Sequence, residues 1–395
     1  MRFALIFVAF LTLNATNLNE SIKNVNIDGE LRYRYETQKK TSNIKEKEAH
    51  KYKARLTFSA DIAENYQAVG GFWWQNEDYS YGNNAVLDDK KTFLIREAFL
   101  RYSEYDTTFD MGRVVMDSFW TDELLATGLK ITNTGMNGIV LQIFAYDNYS
   151  NSPYLSPFFK DTNNLPTHRN FYGGKIVANY SGVDLGIWAG HLDSLLTLYA
   201  IDYRLKFNED MLFIHFQYAG STFSNTYKEK YNKQAKKDKT SRIDTGHFYG
   251  LEVGFNSNIF DSALGYVGFG KKGRKTIYTI ENQDKYAKNK GLIKYAHILM
   301  DLDNTYNGSE QSLGKKDYFL ASLGLNFNNF RIGVDGIVGT IKTIDKKLNV
   351  YEVSPNFSYK YNDRLGFYGY YSKAELKDKK TTKIDKTRFE IKYNF

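Results

Sequence analysis

The last ten residues of the chain, KTRFEIKYNF, alternate between apolar and polar side chains and end on Phe395. Phe389, Ile391, Tyr393 and Phe395 share one face, and the residues between them are charged or polar. This alternation predicts a β-strand with one apolar and one wet face, because successive side chains of a strand point to opposite sides. A soluble sheet edge could carry the same pattern, so the interpretation depends on how many similar segments the chain contains.

Similar segments recur along the whole sequence, among them NIDGELRYRYE, YKARLTFSAD, VDLGIWAG, IDYRLKF and FRIGVDG. Counting them between turn signals gives about eighteen strands. Short and long connections alternate, and the long ones are predicted near 37–51, 77–91, 117–123, 148–170, 191–196, 224–245, 271–316, 343–349 and 377–385. This asymmetry is typical of short periplasmic turns and long outer loops. The predicted fold class is therefore all-β, a transmembrane antiparallel β-barrel whose first and last strands pair.

The N-terminus predicts export. Arg2 is followed by the apolar run FALIFVAFLTL, which fits a secretory signal peptide. We predict a signal peptide over residues 1–15 and an outer-membrane β-barrel porin over residues 16–395. A short buried helix or a membrane anchor is the alternative for this run. Beyond it no apolar stretch approaches about 18 residues, so a membrane-embedded chain would have to be a closed barrel.

Charged residues within the alternating segments predict a polar lumen. A charge at the midplane of the lipid face costs about 2–4 kcal/mol, so these side chains belong inside the barrel. A charged lumen implies water, and water implies a pore. The charges either create a transverse field opposite acidic loop residues or pair with carboxylates and brace the wall. The predicted pore-lining residues are Arg32, Arg34, Lys53, Arg55, Arg113, Arg204 and Arg388.

Acidic loop residues are the candidates for a pore constriction. Asp117, Asp122 and Glu123 lie within seven residues of the third long connection. Asp147 and Asp161 are associated with the fourth long connection, which holds three of the chain's four prolines. Proline fixes φ and stiffens a loop that could fold into the pore. Ordinary solvated loops are the alternative.

No motif predicts catalysis or a required cofactor. The sequence contains no GxSxG, P-loop or HxxxH pattern, so an enzyme is not expected. Asp301 and Asp303 occupy the first and third positions of a calcium-loop pattern. Tyr306 replaces the glycine at position six and Ser312 the glutamate at position twelve, so the stretch fails as an EF-hand. A loosely bound Ca²⁺ at this oxygen-rich stretch is the one metal that the sequence suggests.

The formal net charge is +8, and lysines concentrate in YKEKYNKQAKKDKTSR, KKGRK and KAELKDKKTTKIDK. We interpret these clusters as solvated loops, which could contact the phosphates of lipopolysaccharide. Nucleic acid is not an expected partner of an exported chain. The overall charge favours anions, whereas the loop acids favour cations. We give the loop acids more weight, because distant exposed charges are screened.

The segment GRVVMDSFWTDELLATGLKITNTGMNGIVLQIFAYDNY, residues 112–149, resembles the Campylobacter-type major outer membrane protein, a porin family. Trp-Thr-Asp, Thr-Gly-Leu-Lys and Gly-Ile-Val-Leu follow in the family's order. FYGGKIVANY, LTLYAIDYRL, NFRIGVDGIVGTIKT and SYKYNDRLGFYGYYS are similar to its later strands, and the terminal phenylalanine resembles that of other outer-membrane barrels. The resemblance implies an 18-stranded trimeric porin with inward-folded loops, a cation preference and an association with calcium.

Together these observations predict a bacterial outer-membrane porin for passive diffusion of small hydrophilic solutes and ions, with a preference for cations. The expected partners are two further copies in a homotrimer, outer-membrane lipid and lipopolysaccharide, and the permeating solutes. An outer-membrane barrel that acts mainly in adhesion or surface interaction through its Lys-rich loops is the alternative. A secreted soluble β-protein is a third interpretation.

Overall fold

The structure is a computed structural model that describes residues 23–41, 43–79, 92–120, 124–149, 170–237, 242–276, 291–299, 314–379 and 381–395. Eighteen strands account for most of these residues. They are β1 (Lys23–Lys40), β2 (Asn43–Ala63), β3 (Tyr66–Tyr79), β4 (Thr92–Glu104), β5 (Thr107–Val115), β6 (Leu125–Met136), β7 (Ile139–Tyr149), β8 (Phe171–Asn179), β9 (Val183–Leu192), β10 (Leu196–Phe207), β11 (Leu212–Phe223), β12 (Gly246–Asn256), β13 (Phe260–Phe269), β14 (Lys315–Phe327), β15 (Phe330–Lys342), β16 (Lys347–Lys360), β17 (Leu365–Lys377) and β18 (Thr381–Asn394). The predicted signal peptide, residues 1–15, lies outside the described residues.

The strands form a closed antiparallel sheet in which each strand pairs with its neighbours in sequence and β1 pairs with β18. Arg32 lies opposite Lys392, and Arg34 lies opposite Glu390. The terminal Phe395 continues this ladder by exchanging backbone hydrogen bonds with Gly29 at 2.8 and 3.1 Å. A Cβ on Gly29 would lie 2.2 Å from the Phe395 ring, so glycine permits this close contact. The predicted barrel and the pairing of its first and last strands are confirmed.

Each strand presents one face to the lumen and one to lipid, as β11 illustrates. His215 and Gln217 are buried inward, whereas Ile214 and Phe216 on alternate positions are exposed. An apolar outer band is expected where strands meet hydrocarbon. The exposed apolar residues of other strands include Leu31, Ile143, Ile176, Ile187, Ile201, Leu251, Leu264, Phe319, Leu323, Ile332, Val338 and Val353.

The two ends of the barrel differ. At the turn end, connections such as residues 64–65, 105–106 and 328–329 are tight, with Asn65 and Asn328 at positive φ. At the loop end the connections range from residues 41–42 to residues 270–314. The predicted long connections at 37–51, 191–196, 343–349 and 377–385 are wrong in extent, since strand pairing continues into them. Polar residues near water can maintain a backbone ladder without apolar alternation.

Arg96 and Glu97 in β4 break the alternation of the sequence, and the structure shows why. The pairing of β3 with β4 shifts between Gly71, opposite Glu97, and Phe72, opposite Ile95. Arg96 is therefore the extra residue of a β-bulge, and its guanidinium donates to the Glu97 carboxylate at 2.6 Å. A bulge of this kind shifts the facing of a strand by one residue.

Among the described residues, one α-helix, α1 (Asn225–Lys237), lies in the connection between β11 and β12 at the loop end. The Ser224 hydroxyl accepts a hydrogen bond from the Tyr227 backbone N–H at 3.3 Å and so caps the helix. Within the described ranges, no helix has the length and apolar character required to cross a membrane.

Candidate pore constriction

Two connections from the loop end enter the barrel and pack against its inner wall. The first is the segment of residues 116–120, between β5 and β6. Phe119 and Trp120 are essentially fully buried, and the Phe119 ring packs on the inward Trp188 of β9 at 5.0 Å between centroids. Gly190 leaves space for this packing, because a Cβ there would lie 3.1 Å from the Trp120 ring. The third long connection therefore folds inward.

Asp117 binds cationic groups of the wall. Lys130 Nζ lies 3.4 Å from its carboxylate, and Lys175 Nζ donates to its backbone carbonyl at 3.0 Å. Lys130 also contacts Asp110 of β5 at 3.5 Å. The sequence-predicted loop position of Asp117 is confirmed, and its charge is compensated by neighbouring lysines. Its role in the constriction stays a prediction.

The second inward connection is the segment of residues 291–299, between β13 and β14. It begins with a short 3-10 turn (Leu292–Tyr295). The carboxylate of Glu352 on β16 accepts hydrogen bonds from three successive backbone N–H groups, those of His297, Ile298 and Leu299, at 2.7, 2.9 and 2.8 Å. Glu352 is 1% exposed. A buried charge of this kind requires such donors, because burial removes its hydration.

The other end of this segment is bound to β11 and β12. Leu292 N–H donates to the Gln217 side-chain carbonyl at 2.8 Å. The Tyr295 hydroxyl donates a hydrogen bond to the Glu252 carboxylate, and Lys294 Nζ lies 3.2 Å from the same carboxylate. Gly250 provides room for Leu292, since a Cβ there would lie 2.5 Å from Leu292 Cδ1.

His297 connects the segment with three further strands. Its ring stacks on Tyr370 of β17 at 4.0 Å between centroids, and its Nε2 lies 3.6 Å from the Asp335 carboxylate of β15. Its backbone carbonyl accepts a hydrogen bond from Lys386 Nζ of β18 at 3.2 Å. Residues 291–299 thus bridge strands from β11 to β18 inside the barrel, so they narrow the lumen.

The wall around this segment is rich in carboxylates. Asp202, Glu252, Asp335 and Glu352 all face inward and are largely buried. His215 lies between two of them, with Nε2 3.2 Å from Asp202 and Nδ1 3.4 Å from Glu252. Four carboxylates thus lie on the wall around one docked segment, where Lys294 pairs with Glu252 and where Arg204 and Arg331 line the adjacent chamber.

A chamber of about 720 Å³ lies next to the segment towards the turn end. Polar and charged groups dominate its lining, including Arg204, Lys294, Asp335 and Tyr368. Arg331 on its wall donates to Asp261 at 2.6 and 2.9 Å and to Asn356 at 2.9 Å. Such a lining retains water and polar solutes better than apolar ones.

The predicted pore-lining cations of the seam form ion pairs. Arg34 lies 2.6 Å from Glu390, and Lys53 lies 3.6 Å from Glu30. The remaining contacts join Arg388 and Lys51 to Glu36, and Arg55 and Lys392 to Glu30. Arg32 shares this inward face opposite Lys53 and Lys392. The structure therefore contains the bracing pairs that the sequence left as one of two alternatives.

The other two predicted lining residues are on different strands. Arg204 of β10 makes a bidentate contact with Asp210 at 2.9 and 3.1 Å and covers the Phe213 ring at 3.7 Å. Arg113 is a half-buried residue of β5 opposite Thr127, and it alternates with the inward Asp110 and Val114. It therefore shares the outer face of β5 with the exposed Phe109 and Met111 and, contrary to the prediction, does not line the pore. Of these two residues, Arg204 lines the chamber next to residues 291–299.

The remaining site predictions have different outcomes. Asp147 is not a loop residue, because β7 continues to Tyr149. The pairing of β6 with β7 shifts at this point, with Thr127 opposite Asn148 and Gly128 opposite Tyr146, so Asp147 has no partner in the ladder. Asp122, Glu123, Asp161, Asp301 and Asp303 lie outside the described residues. Within the described ranges, no cluster of three or more His, Cys, Asp or Glu side chains could hold a metal ion.

Sequence reasoning missed the segment of residues 291–299 and its anchor, Glu352. One signal was available: Glu352 faces the lumen between Ile337 and Ala374 on the adjacent strands, neither of which can pair with its charge. An inward carboxylate flanked by apolar neighbours predicts a partner from elsewhere in the chain, because unpaired buried charge is costly.

Comparisons with known proteins agree with this architecture. A sequence model of the family described as Campylobacter major outer membrane protein matches residues 3–395. No curated protein is significantly similar in sequence. Among solved structures, OccAB4 of Acinetobacter baumannii is 11% identical, with 95% of this chain and 98% of that chain covered and a TM-score of 0.66.

Two structures from Pseudomonas aeruginosa are similar to the same degree. OccK8 (OprE) is 11% identical, with 95% of this chain and 99% of that chain covered and a TM-score of 0.68. OccD3 (OpdP) is 11% identical, with 97% and 93% covered and a TM-score of 0.66. At this identity the similarity concerns the fold.

Proposed function

Because the chain belongs to the Campylobacter major outer membrane protein family and forms a closed barrel, it is an outer-membrane porin channel, and we propose that it passes small hydrophilic solutes and ions by passive diffusion with a preference for cations. The family and the barrel point to a channel rather than an enzyme. Support for diffusive transport comes from the ionic inner wall, since a charged lumen is occupied by water. The apolar outer band supports contact with outer-membrane lipid.

The observation that carries the cation preference is the group of four carboxylates around residues 291–299. The wall groups that contact the segment are three carboxylates, those of Glu252, Asp335 and Glu352, and one cation, Lys386, while the segment itself carries Lys294. A few charges next to the narrowest part of a pore influence permeation more than screened charges at its ends. The acidic loop residues predicted from the sequence would act in the same direction.

Single-channel recording in planar bilayers tests this proposal. Wild-type protein should produce discrete conductance steps and a reversal potential of cation-selective sign in a salt gradient. In Asp335→Asn the cation permeability relative to chloride should fall by about sixteenfold, because a unit negative charge about 5 Å from an ion in water stabilises a cation by about 0.8 kcal/mol and destabilises chloride by the same amount. Asp363→Asn is the matched control, since Asp363 is exposed in the turn between β16 and β17.

The two parts of the proposal can fail separately. Folded, detergent-purified protein that gives no conductance steps would contradict the diffusion pore. Steps with an anion-selective reversal potential would contradict only the cation preference.

We also propose that the channel is a homotrimer and that its loop end contacts lipopolysaccharide. Chemical crosslinking and native mass spectrometry of detergent-extracted protein should give three copies, and a monomer under both conditions would contradict the assembly. Ca²⁺ bound by Asp301 and Asp303 is a separate proposal. Equilibrium dialysis against Ca²⁺ tests it, and Asp301→Asn with Asp303→Asn should lose the bound ion.

A further inference from the structure

The loop end carries a dense group of basic residues drawn from two different connections. Helix α1, residues 242–245 and residues 271–275 contain ten Lys and Arg but only two acids, Glu229 and Asp244. We name these three segments the basic platform. Its cations are Lys228, Lys230, Lys233, Lys236, Lys237, Arg242, Lys271, Lys272, Arg274 and Lys275.

Hydrogen bonds join the three segments of the basic platform into one unit. The Asn232 side chain accepts from the Ile243 N–H at 2.8 Å and donates to the Ile243 carbonyl at 3.1 Å. Backbone bonds then connect the second and third segments: Lys275 N–H donates to Arg242 at 2.8 Å, and Asp244 N–H donates to Lys275 at 3.0 Å. Segments far apart in sequence are thereby held together.

Asp244 lies at the centre of the basic platform. Lys228 Nζ is 2.6 Å from one of its carboxylate oxygens and Lys271 Nζ is 2.5 Å from the other. Partial burial opposes ionisation, but hydrogen bonds from these two ammonium groups outweigh it and lower the pKa of Asp244. This carboxylate offsets one of the two ammonium charges, so the ten cations and two acids of the platform leave it with a formal net charge of +8.

Helical periodicity separates the two faces of α1. Tyr227, Tyr231 and Ala235 follow a spacing of four and pack towards the barrel. The lysines at positions 230, 233, 236 and 237 lie on the opposite face and are exposed. The helix thus presents a row of ammonium groups to the surrounding water.

The basic platform lies on the lumen side of the wall. The Tyr227 ring stacks at 6.1 Å on Phe223, which is 2% exposed and belongs to the inward series of β11. Ile243 is 1% exposed and joins the same inner cluster as Phe248. A ligand attracted to these lysines would therefore approach from the aqueous mouth of the channel rather than from the lipid.

We propose that the basic platform binds multiply charged soluble anions at the loop-end mouth and thereby reduces ion flow through the channel. Several adjacent ammonium groups bind a polyanion more strongly than a single-charge anion, since their attractions add over a short distance. The carboxylates around residues 291–299 lie deeper: Glu252 is six residues along β12 from Gly246, about 20 Å by strand rise. A polyanion held by the platform is therefore repelled from passing further.

The test uses inorganic tripolyphosphate added to one side of a planar bilayer that contains oriented wild-type channels. This inference rests on the proposed diffusion pore, so the conductance without tripolyphosphate is recorded first. Addition at the loop end should reduce the current in a concentration-dependent way, and raising the salt concentration should weaken the block. Addition at the turn end should have little effect.

Two variants locate the binding site. Lys230→Gln, Lys233→Gln, Lys236→Gln and Lys237→Gln combined should raise the half-blocking concentration at least tenfold without changing the unblocked conductance. Lys272→Gln with Lys275→Gln, on the third segment, should raise it by a smaller factor. The matched control is Lys360→Gln at the turn end, which should behave as wild type.

The outcomes are separable. An absence of conductance before tripolyphosphate is added would refute the diffusion pore, whereas normal conductance without block would refute this inference alone. Equal block from both sides, or block unchanged in both variants, would also overturn it. If the fourfold variant instead loses bound lipopolysaccharide and keeps its block, the platform contacts lipid and the proposal is wrong.

Discussion

Replacing Glu352 by Gln should release residues 291–299 from the inner wall. In the wild type, one carboxylate oxygen accepts from His297 and Ile298, and the other accepts from Leu299 alone. A glutamine can place its oxygen at the first position, where the Ser372 hydroxyl also donates at 2.7 Å. Its amide nitrogen then faces the Leu299 N–H. Both groups are hydrogen-bond donors, so no hydrogen bond forms between them.

The expected loss follows from these contacts. A hydrogen bond to a charged group contributes about 1.5–3 kcal/mol, and one between neutral groups about 0.5–1.5 kcal/mol. The Leu299 bond is lost and the two others each weaken by about 1–1.5 kcal/mol, which together makes about 3.5–6 kcal/mol. Since about 1.4 kcal/mol corresponds to a factor of ten, the ratio of docked to released segment should fall by about 300- to 20,000-fold.

Hydrogen exchange of the His297, Ile298 and Leu299 amides measures this release directly, and they should exchange faster by a similar factor. Single-channel recording should show a larger or more variable conductance, because the segment bridges the lumen. Glu390→Gln is the matched control, an inward carboxylate that pairs with Arg34 instead of the segment. Unchanged exchange and conductance in Glu352→Gln, with a folded barrel, would refute the anchoring role.

Three further predictions concern the inward segments and the basic platform. Gly250→Val should displace Leu292 and increase conductance in planar bilayers, whereas Gly70→Ala, with open space around its position, should not. Phe119→Ala should cost about 3–5 kcal/mol of packing and lower the thermal unfolding temperature of the barrel. The ion pairs that lower the pKa of Asp244 stabilise the folded platform. This stabilisation is fully present above about 3.9, the pKa of an aspartate in the unfolded chain, and it is lost as the pH falls towards the lower pKa of the folded state. Protease resistance of the platform should therefore persist at pH 5 and fall only in stronger acid. Loss of protease resistance already at pH 5 would contradict the stabilising role of the ion pairs.

Much of the barrel could be predicted from local pattern, and the failures have physical causes. Alternation located the strands and the pairing of the two terminal ones, because side-chain facing in a strand is set by adjacent residues. It missed strand residues near the loop end, where both faces meet water and no apolar alternation is required. The β4 bulge at Arg96 also escaped it, since one inserted residue reverses the pattern.

The candidate constriction was predicted only in part. The inward position of the connection that contains Asp117 followed from its acids and its family resemblance. The segment of residues 291–299 has no comparable local signal, since the groups that hold it are on strands from β11 to β18. Asp147 was placed in a loop because acidic residues near a turn resemble loop residues, although backbone pairing extends past it.

The sequence by itself determined that this chain forms a closed antiparallel barrel with a charged interior, because a period of two assigns each side chain to lipid or lumen. Only the tertiary structure decided which connections enter the lumen and which charges meet there. Glu352 and the amides of residues 297–299 are more than fifty positions apart in the sequence. Asn232 and the lysine-rich segment 271–275 are about forty positions apart, and they are joined through residues 242–244, since Ile243 bonds to Asn232 while Arg242 and Asp244 bond to Lys275. Contacts of this kind depend on three-dimensional closure of the barrel, which places distant strands within hydrogen-bonding reach.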